Sequence, residues 1–192
     1  CDVCREIGGE ETSDEETSVL VRKALSAVAR VDRRYGLTAA TKLLAGLPYP
    51  RLLRAGLDRA TTAGQKSTWF GALRRISTTP ATLAWLTRVW DKTEAVPGLT
   101  LAEADYSVLA MELAVRDLPR AAEILTGQLD RIENSDRKAR FAFIMPALSG
   151  DAAVRERWFL SLRDVANRRR EPWVLDGLDY LHHPLRAKQS AP

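Results

Sequence analysis

The residues best suited to chemistry stand at the two ends of the chain. Cys1 and Cys4 form a C-x-x-C pair and are the only cysteines among 192 residues. Thiolates at this spacing are ligands for structural zinc, but a tetrahedral site takes four ligands, normally two such pairs or one pair with two histidines. The only histidines, His182 and His183, are adjacent and lie at the other end. Neighbours on a helix point about 100° apart, so the two do not present a ready second half. A redox role would place the pair between a strand and a helix, and no βαβ pattern follows. Cys1 and Cys4 therefore read as half of a zinc site, incomplete within these residues and completed in something larger.

Other reactive patterns are missing. There is no H-E-x-x-H, no G-x-S-x-G elbow and no G-x-x-x-x-G-K-[ST] loop. Apart from Gly8 and Gly9, the glycines are too scattered to cradle a phosphate. Ser67, Ser77, Ser107 and Ser161 have no neighbouring base in sequence. The run Arg168-Arg169-Arg170 reads as a solvated helix end or as a phosphate clamp, and the Glu171 that follows favours the first. The net charge is +4, with 10 basic and 9 acidic residues up to Gly64 and 19 and 16 beyond it. Neither part holds a dense basic block, so charge does not argue for nucleic acid. No apolar run approaches the roughly 20 residues of a membrane span, and no secretory signal is legible. Two cysteines build no disulfide framework, so the expected setting is the reducing cytoplasm.

The elements that would position any site are helices. SDEETSVLVRKALSAVARVDRRYG opens on Ser13 with Glu16 three residues on, as in a capping box, and Gly36 closes it. TAATKLLAGL and YPRLLRAGL follow. KSTWFGALRRI precedes PATLAWLTRVWDK, where Pro80 suits a first helical turn. TLAEADYSVLAMELAVRD predicts an amphipathic helix capped by Thr100, with Val108, Leu109 and Leu113 on one side. PRAAEILTGQLDRI, SDRKARFAFIMPAL, DAAVRERWFLSLRDVA and EPWVLDGLDYL complete the series. Pro146 should kink or end its helix. Trp69, Phe70, Trp85, Trp90, Trp158, Phe159 and Trp173 read as core, as do Phe141, Phe143 and Met145. Strand alternation is nearly absent. The expected fold class is all-α: short leading helices, then an irregular superhelix or bundle of antiparallel helices.

Two resemblances divide the chain. CDVC, VRKALSAVARVDRRYGLTAATKLLAG and RLLRAGLDRATTAG resemble the end of the zinc module and the start of the winged-helix (RQC) domain of bacterial RecQ DNA helicases. On that resemblance residues 1–64 are a truncated winged-helix-like fragment, Cys1 and Cys4 are zinc ligands, and duplex DNA is the partner. From Lys66, KSTWFGALRRISTTPATLAWLTRVW, GLTLAEADYSVLAMELAVRD, NSDRKARFAFIMPALSGD and NRRREPWVLDGLDYLHHPLR look like the C-terminal helical domain of bacterial zinc aminopeptidases of the aminopeptidase N family. On that resemblance residues 65–192 pack on a catalytic domain and shape its peptide cavity.

Arg137, Lys138 and Arg140 then become candidate contacts for a peptide carboxylate, or else surface ion-pair partners of Asp136 and nearby acids. His182 and His183 become cationic caps of the last helix rather than metal ligands. Both parent families use zinc, while the residues of this chain hold none by themselves. The function expected is thus a non-catalytic helical module of a peptidase; the alternative is a DNA-binding remnant of an ATP-dependent helicase.

Overall fold

The computed structural model describes residues 49–116 and 119–186. These residues are all-α, with no strand among them. Eight helices run in order: α1 (Tyr49–Arg59), α2 (Ala63–Ile76), α3 (Pro80–Trp90), α4 (Glu103–Ala114), α5 (Ala121–Arg131), α6 (Ser135–Ile144), α7 (Ala152–Ser161) and α8 (Glu171–Leu181). Short 3-10 turns lie at Met145–Leu148, Val165–Arg168 and Pro184–Arg186. No helix of the described residues is long and apolar enough to cross a membrane. The leading helices expected before Tyr49, with Cys1 and Cys4, lie outside the described residues.

Helix starts follow from local chemistry. Thr61-Thr62-Ala63-Gly64-Gln65 builds a capping box: Thr62 Oγ1 accepts the Gln65 N–H at 3.2 Å, and Gln65 Oε1 accepts the Thr62 N–H at 3.3 Å. Pro80 sits in the first turn of α3. Asn134 and Asp151 cap α6 and α7 through side-chain oxygens. The start of α4 differs from expectation. The cap position falls at Ala102, not Thr100, because Asp105 reaches back to accept the Ala102 N–H at 2.9 Å. Pro146 ends α6, and the chain tightens at once into the 3-10 turn Met145–Leu148.

α4 is also more buried than an amphipathic helix. Every residue from Leu109 to Ala114 is buried, because α4 packs against α2, α3, α5 and the 3-10 turn after α6. A helix apolar nearly all round belongs in the centre, and Leu109, Met111 and Leu113 anchor the main core with Leu57, Leu73, Trp90 and Phe141. Leu53 and Leu57 of α1 share that core, and the compact unit runs from Leu53. A second, small cluster holds Ala147, Trp158 and Leu181.

Arginines tie the helix ends together. The last carbonyls of a helix lack internal partners and carry its negative pole. Arg116 donates to the carbonyls of Arg74 (2.7 Å), Arg75 (2.7 Å) and Ser77 (2.6 Å), closing α2. Arg131 donates to Trp90 O at 3.1 Å, closing α3. Arg186, 1% exposed, donates to Ala114 O and Val115 O at 3.0 Å each, closing α4, and to Ser149 O at 3.2 Å. Arg155 donates to Ser149 O and Gly150 O at 2.7 and 2.9 Å. In each case a cation from later in the chain finishes an earlier turn or helix.

Candidate functional site

Among the described residues, polar groups gather around open space where α3 ends, α4 begins and α5 meets α6. A cleft of about 250 Å³ there is lined by Lys92, Leu101, Glu103, Tyr106, Gln128, Arg131 and Glu133. α3 supplies its first wall. Past Trp90 the backbone turns through Lys92 at φ 61°, the one described non-glycine residue in left-handed conformation. This aims the Lys92 ammonium over the Tyr106 ring, 5.0 Å from its centre.

The floor is Gln128, 1% exposed, on the inner face of α5 beside Ile124 and Leu125. Its orientation is dictated by its partners. The Trp90 indole is a donor only, so Gln128 Oε1 accepts Trp90 Nε1–H at 2.8 Å. Gln128 Nε2 then donates to Ser107 Oγ at 3.3 Å. Arg131 is fixed by stacking on Trp90, 4.3 Å from the ring centre, and by its bond to Trp90 O.

Glu103 forms the acidic wall. Its carboxylate accepts the Glu133 N–H at 2.9 Å and the Arg137 guanidinium at 3.1 Å. The Glu133 N–H first, and then Arg137, hold this carboxyl below the usual carboxylate range. Neither Lys92 nor Glu133 forms an ion pair among the described residues. Cations and anions therefore line one small space without neutralising each other, and a buried amide sits beneath them.

The three candidate peptide contacts separate. Arg137 pairs with Glu103 at the edge of the cleft. Arg140 pairs with Asp176 of α8, at 2.6 Å through Nη2 and 3.2 Å through Nε. Lys138 is exposed and forms no ion pair among the described residues. Asp136 pairs instead with Arg170 at 2.6 Å, whose guanidinium also lies 4.1 Å from the centre of the Trp173 ring. The arginine run is thus partly engaged rather than wholly solvated.

The histidines do not act as cationic caps together. His182 closes α8 through its backbone N–H to Leu178 O. His183 Nδ1 accepts the Leu185 N–H at 3.2 Å, which requires an unprotonated nitrogen there. Burial, with Arg116 and Arg186 nearby, pushes its pKa down to about 4. Among the aromatics, Trp90, Trp85, Phe70, Trp158 and Phe141 are buried as expected, but Phe159 is 48% exposed on α7. Phe143 and Met145 are half-buried.

Neither composition nor motif singled out Lys92, Tyr106, Gln128, Arg131 or Glu133. Gln128 carried the one usable signal, since a glutamine interrupts the apolar spacing Ile124, Leu125, Leu129 of its helix. Among the described residues no three His, Cys, Asp or Glu side chains gather as a metal site, and Cys1 and Cys4 lie outside them. No family model, curated protein or solved structure matches the chain.

Proposed function

We propose that the chain serves as a helical module comparable to the C-terminal domain of a zinc aminopeptidase, docking on a catalytic domain and shaping the cavity that takes the peptide. The observation that supports this reading is a set of exposed apolar side chains on the tail. Phe159 and Leu160 on α7, Val165 in the following turn and Leu175 on α8 are 39–66% exposed. Where such side chains adjoin, they make the kind of surface that another body covers. The core and the arginine-closed helix ends supply a stiff support for such a surface. On this reading Lys138, with no ion-pair partner among the described residues, is the α6 cation placed to meet a peptide carboxylate, while Arg137 and Arg140 hold the surrounding helices.

The test is reconstitution in trans. The purified chain is added to an aminopeptidase N-type catalytic domain lacking its own C-terminal helices. Complex formation and the ratio of cleavage rates for long and short peptides are then measured. The reading predicts a stoichiometric complex and a shifted length preference, both lost in a Phe159→Asp, Leu160→Asp variant. Absence of a complex, together with duplex-DNA binding whose affinity falls steeply with salt, would transfer the assignment to a RecQ-type DNA-binding remnant.

A further inference from the structure

We infer that the cleft between α3, α4 and α5 binds a free α-amino acid as its zwitterion. The inference stands apart from the peptidase-like reading, because it uses only the cleft. At about 250 Å³, the space falls just below the roughly 300–1,000 Å³ typical of pockets for drug-sized ligands. It suits an occupant of about one residue. Its lining carries both signs of charge. Lys92 and Arg131 supply an ammonium and a guanidinium, and Glu103 and Glu133 supply two carboxylates.

Four charges around one cleft usually cancel in pairs. Here Lys92 has no carboxylate partner among the described residues and rests against the Tyr106 ring instead. Glu133 has no cationic partner among them either. A ligand with a carboxylate at one end and an ammonium at the other satisfies both residues, whereas a simple anion or cation satisfies one. Arg131 lies over Trp90, with Nη1 on Trp90 O and Nη2 4.0 Å from the Asp91 carboxylate, so its guanidinium lines the cleft already ordered. Gln128 Nε2 has two hydrogens and one partner in Ser107, leaving a buried N–H at the floor for a carboxylate oxygen. Leu101 and Tyr106 give a short aliphatic side chain an apolar wall.

The place of Lys92 is set by the end of α3: its N–H bonds Val89 O at 3.1 Å and the Thr93 N–H bonds Arg88 O at 3.0 Å, which puts Lys92 at the left-handed position just past the helix. A left-handed backbone costs a residue with a Cβ about 1–2 kcal/mol relative to right-handed geometry, and glycine would occupy the position without that cost.

The experiment is titration of the full chain with L-leucine, followed by NMR shifts of the Trp90 indole N–H and by calorimetry. Leucinamide, which lacks the carboxylate, and N-acetylleucine, which lacks the ammonium, are run beside it. We expect saturable leucine binding that weakens about tenfold or more for either analogue, a loss of about 1.4 kcal/mol. Lys92→Gly is expected to weaken leucine binding by a similar factor in a chain that remains folded. Glu133→Gln should weaken leucine but not N-acetylleucine. Silence of the indole signal up to about 10 mM leucine would overturn the inference. So would equal binding of leucine and leucinamide, or of leucine, N-acetylleucine and inorganic phosphate, the last set marking a plain anion site.

Discussion

The helices α1 to α6 and the tail formed by α7 and α8 are built on different terms. The first six share a continuous core in which Leu73, Leu109, Leu113, Ile124 and Ile144 are wholly buried. The tail's apolar cluster is small: Trp158 of α7 and Leu181 of α8 close on Ala147 of the turn after α6. Both helices of the tail pack on the Met145–Leu148 turn, and polar bonds supply what apolar area does not. Trp158 donates its indole N–H to Phe143 O at 2.8 Å, and its ring meets Phe143 edge-on at 5.9 Å. Arg155 and Arg186 share Ser149 O. Apolar burial is non-directional and tolerates small shifts, whereas these bonds depend on geometry. The tail is therefore the part of the unit most easily released by one change.

The sharpest way to break that comparison is to empty one site on each side. Leu109→Ala should cost about 2–5 kcal/mol and Trp158→Ala about 3–5 kcal/mol, the second also stranding Phe143 O. The costs are similar but the consequences should differ. Hydrogen exchange in Leu109→Ala should rise in all helices together, and in Trp158→Ala chiefly in α7 and α8. Loss of protection throughout in both variants would show that the tail is not a separate layer of stability. Gly177 belongs to the same contact, since a Cβ there would run into Trp158 Cζ2, so no larger residue fits without moving the indole.

Next in size is the arginine that joins the two parts. Arg186→Met keeps length and apolar stem but leaves the carbonyls of Ala114, Val115 and Ser149 without this donor. A cost of about 2–4 kcal/mol is expected in urea unfolding. Arg186→Lys should recover only part of it, because one ammonium cannot reproduce a fork aimed at three oxygens.

Sequence reading reached the fold class, the helix order from Tyr49 onward, the turn at Pro146 and most of the aromatic core, because these depend on apolar spacing and on local backbone chemistry. It placed the start of α4 at Thr100 because a threonine before an apolar run is a good cap; Asp105 reaching back to Ala102 was the stronger local bond. It read α4 as one-sided, since a pattern shows which residues are apolar but not how many neighbours will surround them. The cleft was less legible still. Lys92, Glu103, Gln128 and Arg131 come from two helices and a turn, and only tertiary packing brings them together. The buried arginines were equally hidden: Arg116 and Arg186 look like surface charges until the carbonyls they close are in place.

A pH titration probes the joint between core and tail more gently. The folded chain holds His183 near a pKa of about 4, against 6.5 for the ordinary side chain. Below 6.5 the unfolded chain binds this proton more readily, so the stability that depends on neutral His183 is complete above about pH 6.5. It is lost as pH falls toward about 4. The ring is only half-buried, so solvent screening reduces the effect to about 1–2 kcal/mol. His183→Asn should flatten this part of the stability profile, leaving the acid limb due to carboxylates such as Glu103. An unchanged slope between pH 6.5 and 4 would place the histidine outside the joint.

The smallest expected change runs in the opposite direction and belongs to the front of the molecule. Lys92→Gly removes a Cβ from a left-handed residue whose backbone N–H still bonds Val89 O at 3.1 Å. The folded state loses strain of about 1–2 kcal/mol, and the unfolded chain gains entropy worth about 0.5–1 kcal/mol. The net should be a gain of up to about 1 kcal/mol, seen as a modest rise in melting temperature with no change in the denaturant slope. The lysine also gives up its contact with Tyr106, so a loss of stability instead would mean that this contact outweighs the backbone strain. A gain would separate two properties that most substitutions confuse, since the same variant should bind leucine less well. More stability with less binding would make Lys92 a position where the fold accepts strain to keep a charge in the cleft.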